Sequence, residues 1–208
     1  MADLPEVLDL PLASGASYWY WLGGRPATDF VNTLRERWRR RVETLATADD
    51  LCLWLHRAGL LDAEHAGVPD RLLGEARALR EAIDACLAAA VAGGAADPAA
   101  VVGIDAWLPD ALPVPRLQLV AGLPTLVEAP PREDPHAAVA AVALDAAHML
   151  GTAAEAARMR VCASDACSAR FYDRSPAGRR RWCSMQGCGN QAKARRYRAR
   201  HQPEQEST

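Results

Sequence analysis

The hydrophobic positions of this chain recur at helical spacing through most of its N-terminal part. Apolar residues lie three and four positions apart over Leu51–Ala58 and over a longer stretch from about Pro69 to Val91. This spacing places them on one face of a helix. Thr47 and Asp50 form a predicted capping box for the first helix, and Gly59 is its predicted stop. Two amphipathic helices are therefore expected to share a core.

Three further helices are predicted on the same grounds. Asp29–Arg41 carries Phe30, Leu34 and Trp38 on one stripe. An Asp–Pro pair is a favourable N-cap followed by proline at the first helical position. Asp97-Pro98 therefore predicts a short helix to about residue 108, and Asp134-Pro135 predicts one from about residue 135 to 158.

Strand signals are fewer. Tyr18–Trp21 has the composition of a strand and is followed by Gly23-Gly24. Arg116–Val120 and Thr125–Glu128 read as a hairpin around Gly122-Leu123-Pro124, within a proline-rich stretch that excludes a long helix. The predicted class is mainly α with a small β-sheet (α+β). Its domains are expected at 1–158, with the hairpin near 116–128, and at 159–201, with a disordered tail at 202–208.

Composition adds a charge asymmetry to this plan. Half of the residues are hydrophobic, which is enough for a core. Residues 158–201 hold 12 Lys and Arg against two Asp, while the first 157 residues carry an acidic excess. A segment this basic favours a polyanionic partner. Met1–Leu10 does not read as a signal peptide and no stretch reads as a membrane span, so the cytoplasm is the expected location, with no membrane partner.

Four of the six cysteines form two pairs of equal spacing. Cys162 and Cys167 are separated by four residues, as are Cys183 and Cys188, with 15 residues between the pairs. Two close pairs joined by a loop can supply the four thiolates of a tetrahedral zinc site. Because protein ligands fill all four positions, the pattern predicts one structural zinc ion per chain. Zinc would largely fold this segment, which has few apolar residues of its own.

Other interpretations of the cysteines stay open at this point. The four could be free thiols or two disulfides, although a reducing compartment disfavours disulfides. Iron–sulfur ligation is a weaker alternative, because the spacing does not match ferredoxins. Cys52 and Cys86 lie singly in helical patterns and are interpreted as buried small side chains.

A basic helix is predicted after the last cysteine. Asn190 is its expected N-cap, and Ala194 and Tyr197 are expected to face the zinc core. Trp182 is interpreted as an apolar plug of that core, with base stacking as the alternative. The helix has no broad apolar face for a membrane, so double-stranded DNA is the expected partner. The candidate nucleic-acid-binding residues are Arg180, Arg181, Asn190, Gln191, Lys193, Arg195, Arg196, Arg198 and Arg200.

A second candidate site lies near the N-terminus. Arg25, Asp29, Asn32 and Thr33 cluster after a glycine turn, where a helix start beside an arginine could hold a small anionic effector. The competing interpretation is that these side chains only cap the helix. No nucleophile motif, phosphate loop or dinucleotide fingerprint is present, so the protein is not expected to be an enzyme.

Three functional hypotheses follow. The first is a DNA-binding regulator, in which a homodimer is one option for assembly. The second is an RNA-binding or protein-interaction zinc module. The third is a ligand-binding or enzymatic N-terminal domain with the finger as an accessory.

The sequence also resembles a known family pair. The C-terminal residues resemble the CGNR-type zinc finger, and the N-terminal ones resemble the ABATE domain that is fused to it. The likeness rests on Arg181-Trp182-Cys183-Ser184-Met185, Cys188-Gly189-Asn190 and Ala192–Arg198, and on Gly23-Gly24-Arg25, Asp29–Thr33, Ala48–Leu51 and Arg57–Leu60. The resemblance implies bacterial, stress-induced transcription regulation. One position departs from the motif: Gln191 stands where the family has arginine.

Overall fold

The computed structural model describes residues 19–62, 68–111, 116–127 and 134–201. The predictions for Met1–Leu10 and for the tail at 202–208 therefore fall outside the described residues. The described chain is mainly helical with three small two-stranded antiparallel sheets. It ends in a four-cysteine segment followed by a helix, as the sequence predicts.

Four helices build the main core, and three of them begin at the predicted caps. Their bounds are α2 (Ala48–Arg57), α3 (Asp70–Ala92), α4 (Pro98–Asp105) and α6 (Pro135–Leu150). The capping box of α2 is formed: Asp50 N donates to Thr47 Oγ1 at 3.2 Å, and Thr47 N donates to Asp50 Oδ2 at 2.8 Å. Asp97 and Asp134 cap α4 and α6 through one side-chain bond each, accepting from Ala99 N and His136 N. Gly93 ends α3 with a φ of 68°, a left-handed conformation that suits glycine.

The core matches the predicted apolar stripes. Leu51, Trp54 and Leu55 of α2 are fully buried. Nearly all of the predicted α3 stripe is buried as well, and Cys52 and Cys86 lie in this core. Burial of each such side chain contributes about 1.5–3 kcal/mol. Apart from Met159, every buried residue of this core lies within residues 19–149.

The predicted helix over Asp29–Arg41 is wrong beyond its first turn. The chain forms only a short helix, α1 (Pro26–Val31), and then pairs β1 (Leu34–Arg35) with β2 (Val42–Glu43). Glu36 and Arg41 have positive φ values of 47° and 51°, which no helix tolerates. The apolar spacing is an incomplete guide here because Leu34 is buried while Trp38 is 49% exposed.

The predicted aromatic strand is also wrong for its described residues. Trp19–Trp21 forms no strand. Trp19 is buried in the core, and the Trp21 ring stacks on Trp54 with centroids 5.6 Å apart. The aromatic residues serve as core packing, because no described strand pairs with them.

A hairpin lies at the predicted place with a shifted turn. It joins β3 (Arg116–Val120) to β4 (Leu123–Val127). The two-residue turn is Ala121-Gly122, with φ values of 52° and 82°, which matches the favoured hairpin turns. Leu117, Leu119 and Leu126 are all more than half exposed. They share one face with Pro124 by their register.

The predicted single helix from 135 to 158 is interrupted. Helix α6 ends at its C-cap Gly151, and Thr152 caps a separate short helix, α7 (Ala153–Ala156). The other short helix, α5 (Leu108–Ala111), lies before the hairpin. The next strand, β5 (Met159–Val161), pairs with β6 (Arg170–Tyr172). Met159 is buried in the main core, so the expected boundary at 158/159 coincides with a strand that reaches into both parts.

The last elements are a π-helical turn (Met185–Gly189) and α8 (Asn190–His201). None of the helices within the described ranges has the length and apolarity to cross a membrane.

Candidate metal centre and basic helix

The two cysteine pairs meet at one point. The sulfur atoms of Cys162, Cys167, Cys183 and Cys188 all lie within 4.8 Å of one another. Cys183 Sγ is 3.8 Å from both Cys167 Sγ and Cys188 Sγ. A tetrahedral zinc ion with Zn–S bonds of about 2.3 Å needs sulfur atoms about 3.8 Å apart. The separation is too long for a disulfide, and the donor set fits zinc.

Local backbone structure positions each sulfur. Cys162 follows β5, and its N–H donates to Ala169 O at 2.9 Å, which extends the β5–β6 pairing. Cys167 lies in a turn closed by its N–H to Ser164 O at 2.9 Å. Cys188 lies in the π-helical turn, where Ser184 Oγ accepts from Gly187 N at 3.2 Å. Turns of this kind bring two close thiols to one ion.

Gly189 lies close to two side chains of this segment. A Cβ there would lie 2.9 Å from Met185 Sδ and 3.3 Å from Trp182 Cδ1. Trp182 packs against the small core formed by Cys162, Ala169, Phe171 and Cys183, together with Leu22 from the N-terminal part. This position supports its interpretation as an apolar plug.

The thiols influence one another strongly. Hydrogen bonds from Cys167, and then from Cys183 and Cys188, lower the pKa of Cys162. Hydrogen bonding to Cys162 raises the pKa of Cys183. Close thiols therefore share protons, and a zinc ion would displace all of them by binding the thiolates.

The basic helix is built differently from the prediction. Asn190 has helical dihedral angles and lies inside the continuous helical path, so it is not the N-cap; Ser184 caps the preceding turn. Ala194 and Tyr197 do not face the cysteines, because both are exposed. Tyr197 instead stacks on the exposed His201 with centroids 4.1 Å apart. No residue of α8 is buried, and the helix packs mainly against the π-helical turn.

The predicted DNA contacts divide into two groups. Arg180 serves the finger itself: its Nη2 donates to Cys183 O at 2.7 Å, and its guanidinium lies 5.0 Å from the Phe171 ring centre. Arg195 Nη2 lies 3.4 Å from Ser164 Oγ. The remaining candidates are exposed: Arg181, Asn190, Gln191, Lys193, Arg196, Arg198 and Arg200.

A joint that the sequence does not predict connects the finger to the helical part. The Asn32 amide pairs with the backbone of Arg170, donating to its O and accepting from its N, both at 2.8 Å. The Arg170 guanidinium bonds Asp84 on α3 at 2.7 and 3.3 Å. Tyr172 N also donates to Gly23 O at 2.7 Å. The finger is therefore attached through β6 to both α1 and α3.

The four residues of the expected effector site do not converge. Arg25 and Asp29 line a surface cavity of about 260 Å³ with Trp21 and Arg57. Arg25 is already paired with Asp145, at 2.5 and 2.9 Å. Asn32 and Thr33 do not line this cavity: Asn32 holds Arg170, and Thr33 Oγ1 donates to Phe30 O at 2.6 Å.

Asp29 gives a testable pH dependence. Its carboxylate accepts from Gly23 N at 2.7 Å, and burial raises its pKa to about 7. An acid whose pKa is raised by folding stabilises the fold while protonated and loses that stabilisation as pH rises from about 4 to about 7. We expect Asp29→Asn to become more stable relative to the native chain across this window, by about 4 kcal/mol at most.

Urea unfolding of zinc-loaded protein between about pH 5.5 and pH 8.5, where thiolate protonation does not dominate, covers the upper part of this window. About 2 kcal/mol of the difference should appear there, between about pH 5.5 and pH 7. A difference that stays constant with pH would show that Asp29 is ionised throughout.

Comparison with protein families agrees with this architecture. A family model named ABATE and described as "Putative stress-induced transcription regulator" matches residues 24–153. A second model, the CGNR zinc finger, matches residues 158–201. With the four clustered sulfurs, this match establishes one structural zinc ion as the cofactor. A search of curated proteins finds no match for this chain.

The ABATE match spans more than half of the chain, and its bounds lie close to the ends of the helical part, α1 to α7. The zinc-finger match includes both cysteine pairs and all of α8. The chain therefore belongs to the ABATE family of transcription regulators and carries a CGNR zinc finger.

Proposed function

We propose that this regulator binds double-stranded DNA through its zinc finger, with α8 as the main contact. The proposal rests on the exposure and the charge of α8. None of its residues is buried, it carries Lys193, Arg195, Arg196, Arg198 and Arg200, and it contains no acidic residue.

Such a helix is unfavourable in isolation. Lys193 and Arg196, Arg195 and Arg198, and Arg196 and Arg200 lie three or four positions apart, where like charges repel. The helix also lacks the buried apolar face that stabilises most helices. A polyanion would relieve the repulsion, and helix α8, with its 12 residues, is about 18 Å long and fits the major groove.

The proposed zinc ligands are Cys162, Cys167, Cys183 and Cys188, whose geometry supports the assignment. The exposed cations Arg181, Lys193, Arg196, Arg198 and Arg200 are the proposed phosphate contacts. Arg195 is a weaker candidate because it reaches Ser164, and Arg180 is better explained by its bonds within the finger.

Two exposed polar residues at the start of α8 suit base recognition. Asn190 and Gln191 are both exposed there, and their amides can pair with adenine in two hydrogen bonds. Gln191 replaces the arginine of the family motif, a residue type that pairs with guanine. We propose that this exchange shifts the preferred base.

Salt dependence tests the DNA proposal. About four to six phosphate contacts predict that log K falls against log salt with a slope of roughly −3.6 to −5.4. Arg198→Ala should weaken binding and reduce the slope by about 0.9, because one phosphate contact is lost. Fluorescence anisotropy of zinc-loaded protein with a labelled duplex measures both quantities.

A matched control removes the same charge elsewhere. Arg71 is an exposed arginine on α3, paired with Glu75 at 2.9 Å, so Arg71→Ala should leave the slope unchanged. Binding that does not respond to salt would contradict the proposal. Equal affinity for single-stranded RNA would favour the alternative of an RNA-binding module.

Assembly and regulation are also proposals. The uncharged hairpin face of Leu117, Leu119, Pro124 and Leu126 supports a homodimer, because such a face can meet its own copy. A monomeric mass, measured by light scattering at the concentrations at which the protein binds DNA, would contradict the homodimer. The cavity at Arg25 and Asp29 supports a small effector, which thermal-shift screening would detect. The cytoplasm is the proposed location, because its reducing conditions keep the four thiols available to bind zinc. We propose a regulator rather than an enzyme, because neither family description names a catalyst.

A further inference from the structure

The turn that joins β1 to β2, residues 36–41, exposes an aromatic ring among arginines. Trp38 is 49% exposed, and Arg39, Arg40 and Arg41 are exposed as well. The turn belongs to the N-terminal part of the chain, which carries an acidic excess overall. Tryptophan and arginine are the residue types that binding surfaces favour. This basic and aromatic turn therefore differs in character from the domain that carries it.

Backbone bonds hold the turn in one shape. Glu36 and Arg41, at its two ends, have left-handed φ values of 47° and 51°. Glu36 O accepts from Arg39 N at 2.8 Å and from Arg41 N at 3.1 Å. The buried Glu36 carboxylate also accepts from Arg40 Nε at 2.7 Å. A partner would therefore need to order only the side-chain ends, which keeps the entropy cost of binding low.

Arginines outnumber the carboxylates around this turn. Four ion pairs are formed there: Arg40 with Glu36, Arg37 with Glu81, Arg80 with Glu43, and Arg170 with Asp84. Each of these carboxylates has an arginine of its own, and within the turn Glu36 alone faces three exposed arginines. Within the described ranges, Arg39 and Arg41 therefore add an excess of positive charge at the surface, which favours an anionic partner.

Trp38 lies directly against the zinc finger. The guanidinium of Arg170, on β6, lies 5.3 Å from the Trp38 ring centre, and its Nη1 donates to Ser168 O at 3.0 Å. Four residues before Ser168, the Oγ of Ser164 lies 3.4 Å from Arg195 Nη2 of α8. This short segment of the finger therefore contacts both α8 and the arginine on which Trp38 lies.

We propose that residues 36–41 form a second DNA-contact element beside α8, in which Arg39 and Arg41 bind phosphate oxygens and Trp38 packs against a neighbouring sugar. Contacts to phosphate and sugar fix the register and orientation of a protein on the duplex. The inference rests on the proposed binding of double-stranded DNA by the finger. It adds that the N-terminal domain touches the DNA itself, so the joint between the two parts determines the geometry of a two-part interface.

The test removes the two unbalanced charges from the full-length, zinc-loaded chain. The double variant Arg39→Gln/Arg41→Gln should make the slope of log K against log salt less steep by about 1.8, because two phosphate contacts of about 0.9 each are lost. Fluorescence anisotropy with a labelled duplex measures the slope. Arg71→Gln is the matched control, because Arg71 is an exposed arginine of the same domain, and it should leave the slope unchanged. Zinc content and the thermal unfolding midpoint should stay at the native values in all variants.

The ring is tested separately from the charges. Trp38→Ala should weaken binding about tenfold, equivalent to about 1.4 kcal/mol, and should leave the salt slope unchanged, because an apolar contact releases no counterion. Trp38→Phe keeps an aromatic ring and should recover part of the lost affinity. Native affinity in Trp38→Ala would overturn the contact assigned to the ring.

Comparison with Arg198→Ala on α8 separates this inference from the proposal on which it rests. A native slope in Arg39→Gln/Arg41→Gln, together with a reduced slope in Arg198→Ala, would overturn the second contact element alone. A reduced slope in the double variant with a native slope in Arg198→Ala would support the turn and contradict the role of α8. Duplex binding by the native chain that does not respond to salt would overturn both.

Discussion

Cys183→Ser is expected to release the zinc ion and unfold the finger while the helical core stays folded. Cys183 is buried, and its sulfur lies 3.8 Å from two of the other three. Structural zinc contributes about 10–16 kcal/mol to the folding of small finger peptides. The hydrophobic core of the finger contains four buried residues, two of them cysteines, so little apolar packing would hold the finger without zinc. The zinc content measured by metal analysis should fall from one ion per chain to none.

The matched control is the same substitution at a thiol outside the cluster. Cys86 is buried in α3 within the main core. Cys86→Ser should cost stability by burying a hydroxyl, about 1–3 kcal/mol, and should leave one zinc per chain. Retention of zinc in Cys183→Ser would contradict the proposed ligand set. Limited proteolysis should cut the Cys183→Ser protein after residue 158 and spare the Cys86→Ser protein.

Arg170→Ala is expected to cost about 3–5 kcal/mol, because it removes one partner of a buried ion pair. The Arg170 guanidinium bonds both oxygens of Asp84 and also donates to Ser168 O at 3.0 Å. It lies 5.3 Å from the Trp38 ring centre. Arg37 Nη1, at 3.3 Å from Asp84, compensates part of the charge left behind, which favours the lower end of the range. Urea unfolding measures the loss.

A double-mutant cycle separates the ion pair from the other contacts of Arg170. The Asp84→Asn and Arg170→Ala variants and their combination should give a coupling energy above about 1 kcal/mol, as for residues in direct contact. Arg179 is exposed, and Arg179→Ala should change stability by less than about 0.5 kcal/mol. Full additivity of the two substitutions would show that the pair does not join the finger to α3.

Local features of the fold were predictable from the sequence. The cap residues Thr47, Asp97 and Asp134 act within a few positions of themselves, so their helices begin where expected. The cysteine spacing likewise describes two short turns and a loop. By contrast, the path after Val31 depends on partners far along the chain. Strand pairing with Val42–Glu43 overrides an apolar spacing that suits a helix.

The contacts that join the finger to the helical part produce no recurring pattern in the sequence. Asn32 and Arg170 are 138 positions apart, and Arg170 and Asp84 are 86 apart. Arg80 offered a partial signal, because it occupies a core-facing position of α3, four residues after Ala76. A charged residue in an apolar stripe indicates a buried ion pair, and the adjacent Glu81 is one partner, at 2.9 Å. Nothing local identifies the other partner, Glu43, at 2.6 and 2.7 Å.

The Asn32–Arg170 pairing also limits how these proteins can be recombined. A chimera that joins another member's finger at residue 158 keeps Asn32 and Asp84 but exchanges the strand that they hold. Because Asn32 pairs with the backbone N–H and C=O of position 170, it accepts any residue there except proline, whereas Asp84 favours a cation there. Compatibility between halves from different relatives therefore depends on a few buried positions, and the finger is a transplantable module only when its docking residues travel with it.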